Sequence, residues 1–215
     1  MRKRSKNGFS PLEVIDKYGA DVARMLVHFL AGYEDNCQWT FKGIEGIVNF
    51  LDRVWKLQDM VKDGDVSKEH EVELNVLIKK ASSDYENLKL NTCIAACMTF
   101  VKKVKEDGYI TREELRQFLI VLNPLAPHIT SEMYERVFGK DILDETFPEY
   151  EEAKTVKSQI NLPVQVNGKM KGTVAIDISQ DKAIIEATCR EFAKLEAEQI
   201  KKVIYVPGRI INFII

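Results

Sequence analysis

Residues that carry metal, redox or nucleophilic chemistry are scarce in this chain. It holds three histidines and four cysteines among 215 residues. His28, His70 and His128 lie far apart, without metal-ligand spacing, and Cys37, Cys93, Cys97 and Cys189 are scattered. Only Cys93 and Cys97 stand close, and an i, i+4 pair on a helix reads as two small buried residues rather than half of a metal site. There is no HExxH, no nucleophile elbow, no phosphate-binding loop and no glycine-rich dinucleotide turn. No two carboxylates stand out as acid and base. The chain therefore does not read as an enzyme on its own, and no metal is expected. No apolar run approaches ~20 residues, so no helix is expected to span a membrane. The basic start, Met1-Arg2-Lys3-Arg4, is followed by Ser10, Pro11, Glu13, Asp16 and Lys17, where a secretory signal would need an apolar stretch. Reduced thiols without an export signal lead us to expect a cytoplasmic protein.

What is present is ordinary in amount and uneven in place. Apolar residues at 45% and charged residues at 30% suit a soluble globular chain of one large or two small domains. The net charge is −2, which argues against indiscriminate nucleic-acid binding. Its distribution is more telling: residues 1–8 carry +4, residues 155–215 carry +3, and the middle carries −9. Contacts with a polyanion are therefore expected at the two ends.

The pattern of apolar residues divides the chain. Ser10-Pro11-Leu12-Glu13 has the form of a capping box. A helix from about Ala20 to Ala31 follows, with Val22, Met25, Leu26, Phe29 and Leu30 inward. Ile47, Leu51, Val54 and Trp55 mark another from about Thr40 to Met60. Leu74, Leu77, Ala81, Tyr85 and Leu88 form the stripe of a helix from about Ser67, and Asn91 separates it from one carrying Ile94, Cys97, Met98 and Val101. Thr111-Arg112-Glu113-Glu114 is a second capping box; Pro124 and Pro127 must stop or kink its helix. A last helix holds Ile129, Met133, Tyr134 and Val137. After Pro148 and a charged linker at 149–154 the period becomes two. Asn167-Gly168 signals a hairpin. A three-residue loop pairing Val166 with Met170, Val164 with Gly172 and Leu162 with Val174 is the expected register, because the alternative puts Lys169 and Lys171 on the apolar face. Lys171 and Thr173 would then lie on the outer face beside Gln165. Ser179 is expected to cap a helix with Ile185, Cys189 and Phe192 inward, and two strands follow around Pro207-Gly208, a type II turn. The expected fold class is α+β: an all-α helical bundle over residues 11–150, then a small ββαββ domain over 155–215.

Three blocks carry a resemblance. Lys17-Tyr18-Gly19-Ala20-Asp21-Val22-Ala23-Arg24 is similar to the KYGAD segment that follows the KMSKS loop in class I aminoacyl-tRNA synthetases for aliphatic amino acids. Trp39-Thr40-Phe41-Lys42-Gly43-Ile44-Glu45-Gly46 through Val54-Trp55, with Asn123-Pro124-Leu125-Ala126-Pro127-His128, resembles the leucyl enzyme's anticodon-binding-type bundle. Val164-Gln165-Val166-Asn167-Gly168-Lys169-Met170-Lys171-Gly172 and Lys201-Lys202-Val203-Ile204-Tyr205-Val206-Pro207-Gly208-Arg209 look like the C-terminal domain of leucyl-tRNA synthetases. The order and spacing hold over nearly the whole chain. One departure is at the start: aligned through Ser5, residues 1–5 stand over KMSKS, only Ser5 agrees, and Arg4 replaces the second lysine.

The resemblance implies the C-terminal part of a ligase that uses ATP and magnesium to attach leucine to its tRNA, without the N-terminal catalytic domain and without the editing domain. Residues 1–10 would be the remnant of the ATP-contacting loop, with Arg4, Ser5 and Lys6 as its candidates. The fragment itself would bind no cofactor. It would bind leucine tRNA as a monomer, with Lys169, Lys171, Lys201, Lys202, Arg209 and Arg53 as phosphate contacts. Two other readings stay open: a protein-interaction module, and a free-standing synthetase relative that binds tRNA in trans.

Overall fold

A computed structural model describes residues 11–32, 43–155, 159–177, 180–195 and 200–215. The chain divides into two compact units, Met1–Thr155 and Val156–Ile215. Helix and small sheets are both present, as the mixed composition of apolar periods requires. Ser10, Ser179 and residues 39–42 lie outside the described residues.

The first unit is helical. Its helices are α1 (Pro11–Tyr18), α2 (Ala20–Leu30), α3 (Ile44–Trp55), α4 (Glu71–Glu86), α5 (Leu90–Asp107), α6 (Arg112–Leu122) and α7 (Pro127–Phe138). One continuous core joins them: Val14, Met25, Leu26, Ile47, Val54, Leu74, Ile78, Cys97, Val101, Phe118, Leu119 and Tyr134 all belong to it. Each such side chain withdrawn from water contributes about 1.5–3 kcal/mol, so this shared core, rather than helix propensity, holds the short helices in place. The rings of Phe100 and Phe118 stack at 5.4 Å inside it. Cys93 and Cys97 are buried free thiols in α5, as a small-residue pair on an inner face should be.

Local chemistry sets the helix ends. Thr111 and Glu114 form the capping box in full: the Thr111 hydroxyl accepts from the Glu114 N–H at 3.2 Å, and the Glu114 carboxylate accepts from the Thr111 N–H at 2.8 Å. The helix they open stops at Leu122, before Pro124, and Pro127 is the first residue of α7. α3 ends at Trp55, and Lys56–Met60 continue it as a tighter 3-10 turn. The break after α4 falls earlier than the sequence suggested. Asn91 is the second residue of α5, and Leu88, placed by periodicity on the inner stripe, is 49% exposed with φ +53°. The chain has already left α4 at Asn87, so the stripe no longer applies to it. Two two-residue strands, β1 (Val61–Lys62) and β2 (Ile110–Thr111), pair in parallel and were not legible from periodicity. Residues 149–154 are not free of the helices either: the Glu151 N–H donates to Asn75 Oδ1 at 2.8 Å, and Lys154 pairs with Glu71 at 3.0 Å.

The second unit runs β3 (Gln159–Val166), β4 (Lys169–Asp177), α8 (Lys182–Phe192), β5 (Lys202–Val206) and β6 (Ile210–Ile214). The sheet order is β4-β3-β6-β5, two antiparallel hairpins joined by the parallel pair β3/β6. Leu162, Val164, Ile176, Ile211 and Phe213 of the sheet share one core with Ile185 and Cys189 of α8. The residue before α8 is Asp181, which makes no side-chain cap. Phe192, expected inward, is 45% exposed; its ring lies across Gly172 of β4.

The hairpin register corrects the sequence reading. Val166 pairs with Lys169 and Gln165 with Met170; after a bulge, Val164 pairs with Gly172 and Leu162 with Val174. The loop is thus two residues, not three. Asn167 (φ +49°) and Gly168 (φ +77°) both take the positive φ that a type I′ turn demands. Lys171 is the extra residue, absorbed by the bulge inside the strand. Two of the three expected pairs therefore hold while Val166–Met170 does not. Met170, not Lys171, stands opposite Gln165 on the outer face. At the other hairpin the Arg209 N–H donates to the Val206 carbonyl at 3.0 Å and Gly208 has φ +71°, as in a type II turn.

Candidate nucleic-acid interface

The pairing of the sheet brings three of the predicted cations to one end of the second unit. Lys169 stands opposite Val166, Val166 beside Phe213, and Phe213 opposite Val203. Lys202 is one residue further towards that end, opposite Ile214, and the Lys201 N–H donates to the Ile214 carbonyl at 2.8 Å. Across three strand spacings this edge spans about 14 Å. Lys171 protrudes from the bulge one step inward. Arg209 does not join them: it sits in the β5–β6 turn, at the opposite end of the sheet. All five side chains are exposed.

The tip of the β3–β4 hairpin is fixed from its neighbour. Asn212 Oδ1 accepts from the Gly168 N–H at 3.1 Å, Asn167 Oδ1 accepts from the Ile215 N–H at 3.1 Å, and the Asn167 N–H donates to the Phe213 carbonyl at 2.8 Å. The two asparagines thus tie the turn that precedes Lys169 to β6 and its last residues, against which Lys201 and Lys202 at the start of β5 are paired. The sequence marked Asn167 as a turn residue, but Asn212 gave no signal, because its partner lies 44 positions away.

Among the described residues of the first unit many cations are already paired with acids. Lys79 pairs with Glu152, Lys80 with Asp84, Lys103 with Asp107, Arg136 with Glu132, and Lys140 with Glu145, while Arg116 bonds both Glu113 and Glu145. Arg53 is exposed in the last turn of α3 and has no acid partner among the described residues. Trp55, its neighbour, is partly buried against the core, with the Arg136 guanidinium 5.0 Å above its ring.

Two polar clusters were missed by the sequence reading. Asp21, in the KYGAD-like block, reaches α7, which starts in the Asn123–His128 block: its carboxylate accepts from the Ile129 N–H at 2.8 Å and from the His128 N–H at 3.3 Å, and it lies 2.8 Å from His128 Nδ1. It closes the N-terminus of a helix across a separation of 107 positions instead of only complementing its own. His70, fully buried, holds Glu114 and Asp107 on its two ring nitrogens. These clusters fix helices and present no open donor set for chemistry. Among the described residues no group of three His, Cys, Asp or Glu side chains is placed to hold a metal ion, and no helix is long and apolar enough to cross a membrane. Arg4, Ser5 and Lys6 lie outside the described residues.

Residues 68–186 match the family model described as the anticodon-binding domain of tRNA ligase. Over its whole length the chain is similar to the leucine–tRNA ligases of Alkaliphilus oremlandii (37% identical) and Cupriavidus metallidurans (34% identical). It covers 28% and 27% of these relatives, so it spans little more than a quarter of their length. Its structure is similar to the LeuRS chain in a crystal structure of the ternary complex of Agrobacterium radiobacter K84 agnB2 LeuRS, tRNA and LeuAMS, with a TM-score of 0.78 at 26% identity. That likeness covers all of this chain and 31% of the other.

Proposed function

Since the chain belongs to the anticodon-binding domain family of tRNA ligases, we propose that it is the tRNA-docking portion of a leucine–tRNA ligase. The observation that carries this reading is the similarity to leucine–tRNA ligases from end to end of the chain. In this reading the helical unit is the anticodon-binding-type bundle and lies along the tRNA body. The ββαββ unit is the small C-terminal domain and takes the outer corner and long variable arm. The whole ligase would attach leucine to its tRNA with ATP and magnesium, in the cytoplasm and as a monomer. This portion would contribute tRNA affinity and placement and hold no cofactor of its own.

Lys169, Lys201 and Lys202, with Lys171 beside them, form the phosphate-contacting edge of the small unit, and Arg53 supplies a contact on the helical one. Arg209 supplies another from the opposite end of the sheet. Contacts of this kind set affinity and position, while tRNA shape supplies discrimination. The test is binding of this chain to leucine tRNA and to valine tRNA at two salt concentrations. We expect tighter binding to the leucine tRNA that weakens as salt rises. A folded chain that binds neither tRNA would overturn the reading.

A further inference from the structure

The last turn of α3, the 3-10 turn that follows it and the C-terminal half of α5 enclose a cleft of about 250 Å³. Arg53, Lys56 and Lys105 line it, together with Asn49 and a single acid, Asp52. Its floor is apolar, made by Leu57, Met60 and Val101. All three cations are exposed, and none has an acid partner among the described residues. This concentration of unneutralised charge stands out in a region whose residues 9–154 carry a net −9. The neighbouring cations on α5 are not like it: Lys103 pairs with Asp107 and Lys102 with Glu106.

We propose that the cleft formed by Arg53, Lys56, Lys105 and Asn49 is a binding site for the phosphodiester backbone of RNA. The proposal rests on the tRNA-docking reading and gives the helical unit a built phosphate site in place of one arginine. The chemistry of the donors is divided. The Arg53 guanidinium presents a planar fork suited to two oxygens of one phosphate. Lys56 and Lys105 add compact charges that serve the same group or the next along the strand. The Asn49 amide adds a neutral donor, and the apolar floor faces the ribose without competing for the phosphate. Arg53 and Lys105 also lie near helix C-termini, where a cation complements the macrodipole. That role needs neither Lys56 nor a shared cleft.

The test uses the 215-residue chain with two probes, leucine tRNA and inorganic tripolyphosphate. The triple variant R53Q/K56Q/K105Q is expected to bind tRNA about tenfold more weakly, with a salt slope lower by about one to two. D52N, which removes the one opposing charge, is expected to tighten binding about twofold. A control of equal charge change on paired cations elsewhere, K79Q/K140Q/K154Q, is expected to leave affinity within about twofold of the parent. If the triple variant binds tRNA as tightly as the parent chain, the site is wrong while the tRNA reading stands. If the parent chain binds no tRNA, the tRNA reading fails, and tripolyphosphate decides the site. Shifts of the backbone amide resonances of residues 49, 53, 56 and 105 would keep it as an anion site, and unmoved resonances would remove it.

Discussion

His70 and Glu114 are both fully buried, with Nδ1 of the imidazole 2.8 Å from Oε2 of the carboxylate. On the other side of the ring Nε2 lies 2.8 Å from Asp107 Oδ2, the rings of Tyr109 and Phe100 lie against it at 5.1 and 6.2 Å, and Lys103 holds Asp107 from outside. Burial alone would lower the imidazole's pKa. The two carboxylates outweigh it and leave the pKa raised, favouring the doubly protonated ring. Burial acts the other way on Glu114 and pushes its pKa upward. His70, the Ser67 hydroxyl and N–H, and the Thr111 N–H overcome that and hold it at about 2.

The sign of the pH dependence follows. The His70 contribution is complete below its ordinary value near 6.5 and is lost as pH rises through the raised folded value. The Glu114 contribution is complete above its ordinary value near 4.5 and is lost as pH falls towards about 2. Urea unfolding from about pH 2 to about pH 9 should show the helical unit losing stability at both limits. H70A leaves a buried carboxylate without its cation and should cost about 3 kcal/mol or more, and it should flatten the alkaline limb. An alkaline limb unchanged in H70A would sink the assignment.

Asp21 should behave as a cap for α7. Replacing it by alanine removes a carboxylate that accepts two N–H groups of the first turn of that helix, and should destabilise the helical unit by about 1–2 kcal/mol. D21N keeps one acceptor and should recover part of the loss. Thermal unfolding of both variants decides it; equal losses would mean that charge, not hydrogen bonding, is what α7 needs.

Gly172 has φ +154°, and a Cβ built there would meet the Phe192 ring at 2.8 Å. G172A should therefore destabilise the small unit by about 1–2 kcal/mol through backbone strain and overlap together. Adding F192L should return the overlap part and leave the strain. A double variant no more stable than G172A would show that the ring yields freely.

Asn212 should matter to RNA binding without touching RNA. N212A removes the acceptor of the Gly168 N–H, loosening the turn that aims Lys169. We expect tRNA affinity to fall by about two- to fivefold, from the roughly 0.5–1 kcal/mol of one neutral hydrogen bond, with the salt slope unchanged because no charge is lost. A reduced slope would place Asn212 in direct contact instead.

Local chemistry was legible in the sequence and distant partners were not. The Thr111–Glu114 capping box could be read because both halves lie within four residues. That Glu114 also serves His70 could not, since 44 positions separate them. Helix stripes such as Leu74, Leu77 and Ala81 followed from a period of 3.6 and failed at Leu88, where the period no longer held, and at Phe192, the last residue of α8. Asn167-Gly168 announced a hairpin, yet the cost of burying lysines suggested a longer loop; the bulge at Lys171 met that cost inside the strand, which no count of alternating residues reveals. Lys169, Lys201 and Lys202 could be named one by one. That three share an end of the sheet while Arg209 does not depends on the parallel β3/β6 pair, a feature of topology with no local signature.

That parallel pair also governs how the small unit must assemble. Its interior strands are β3, the first of the four in sequence, and β6, the last, so Val164 and Ile211 cannot meet until 46 intervening residues have been threaded. A ribosome releasing the chain from its N-terminus exposes the β3–β4 hairpin before the strand that covers its open edge has been made. Non-local closure of this kind is slow, and an uncovered apolar edge invites pairing with other chains. The unit should therefore fold late, in one step gated by β6, and a nascent chain stalled before Ile210 should be prone to self-association.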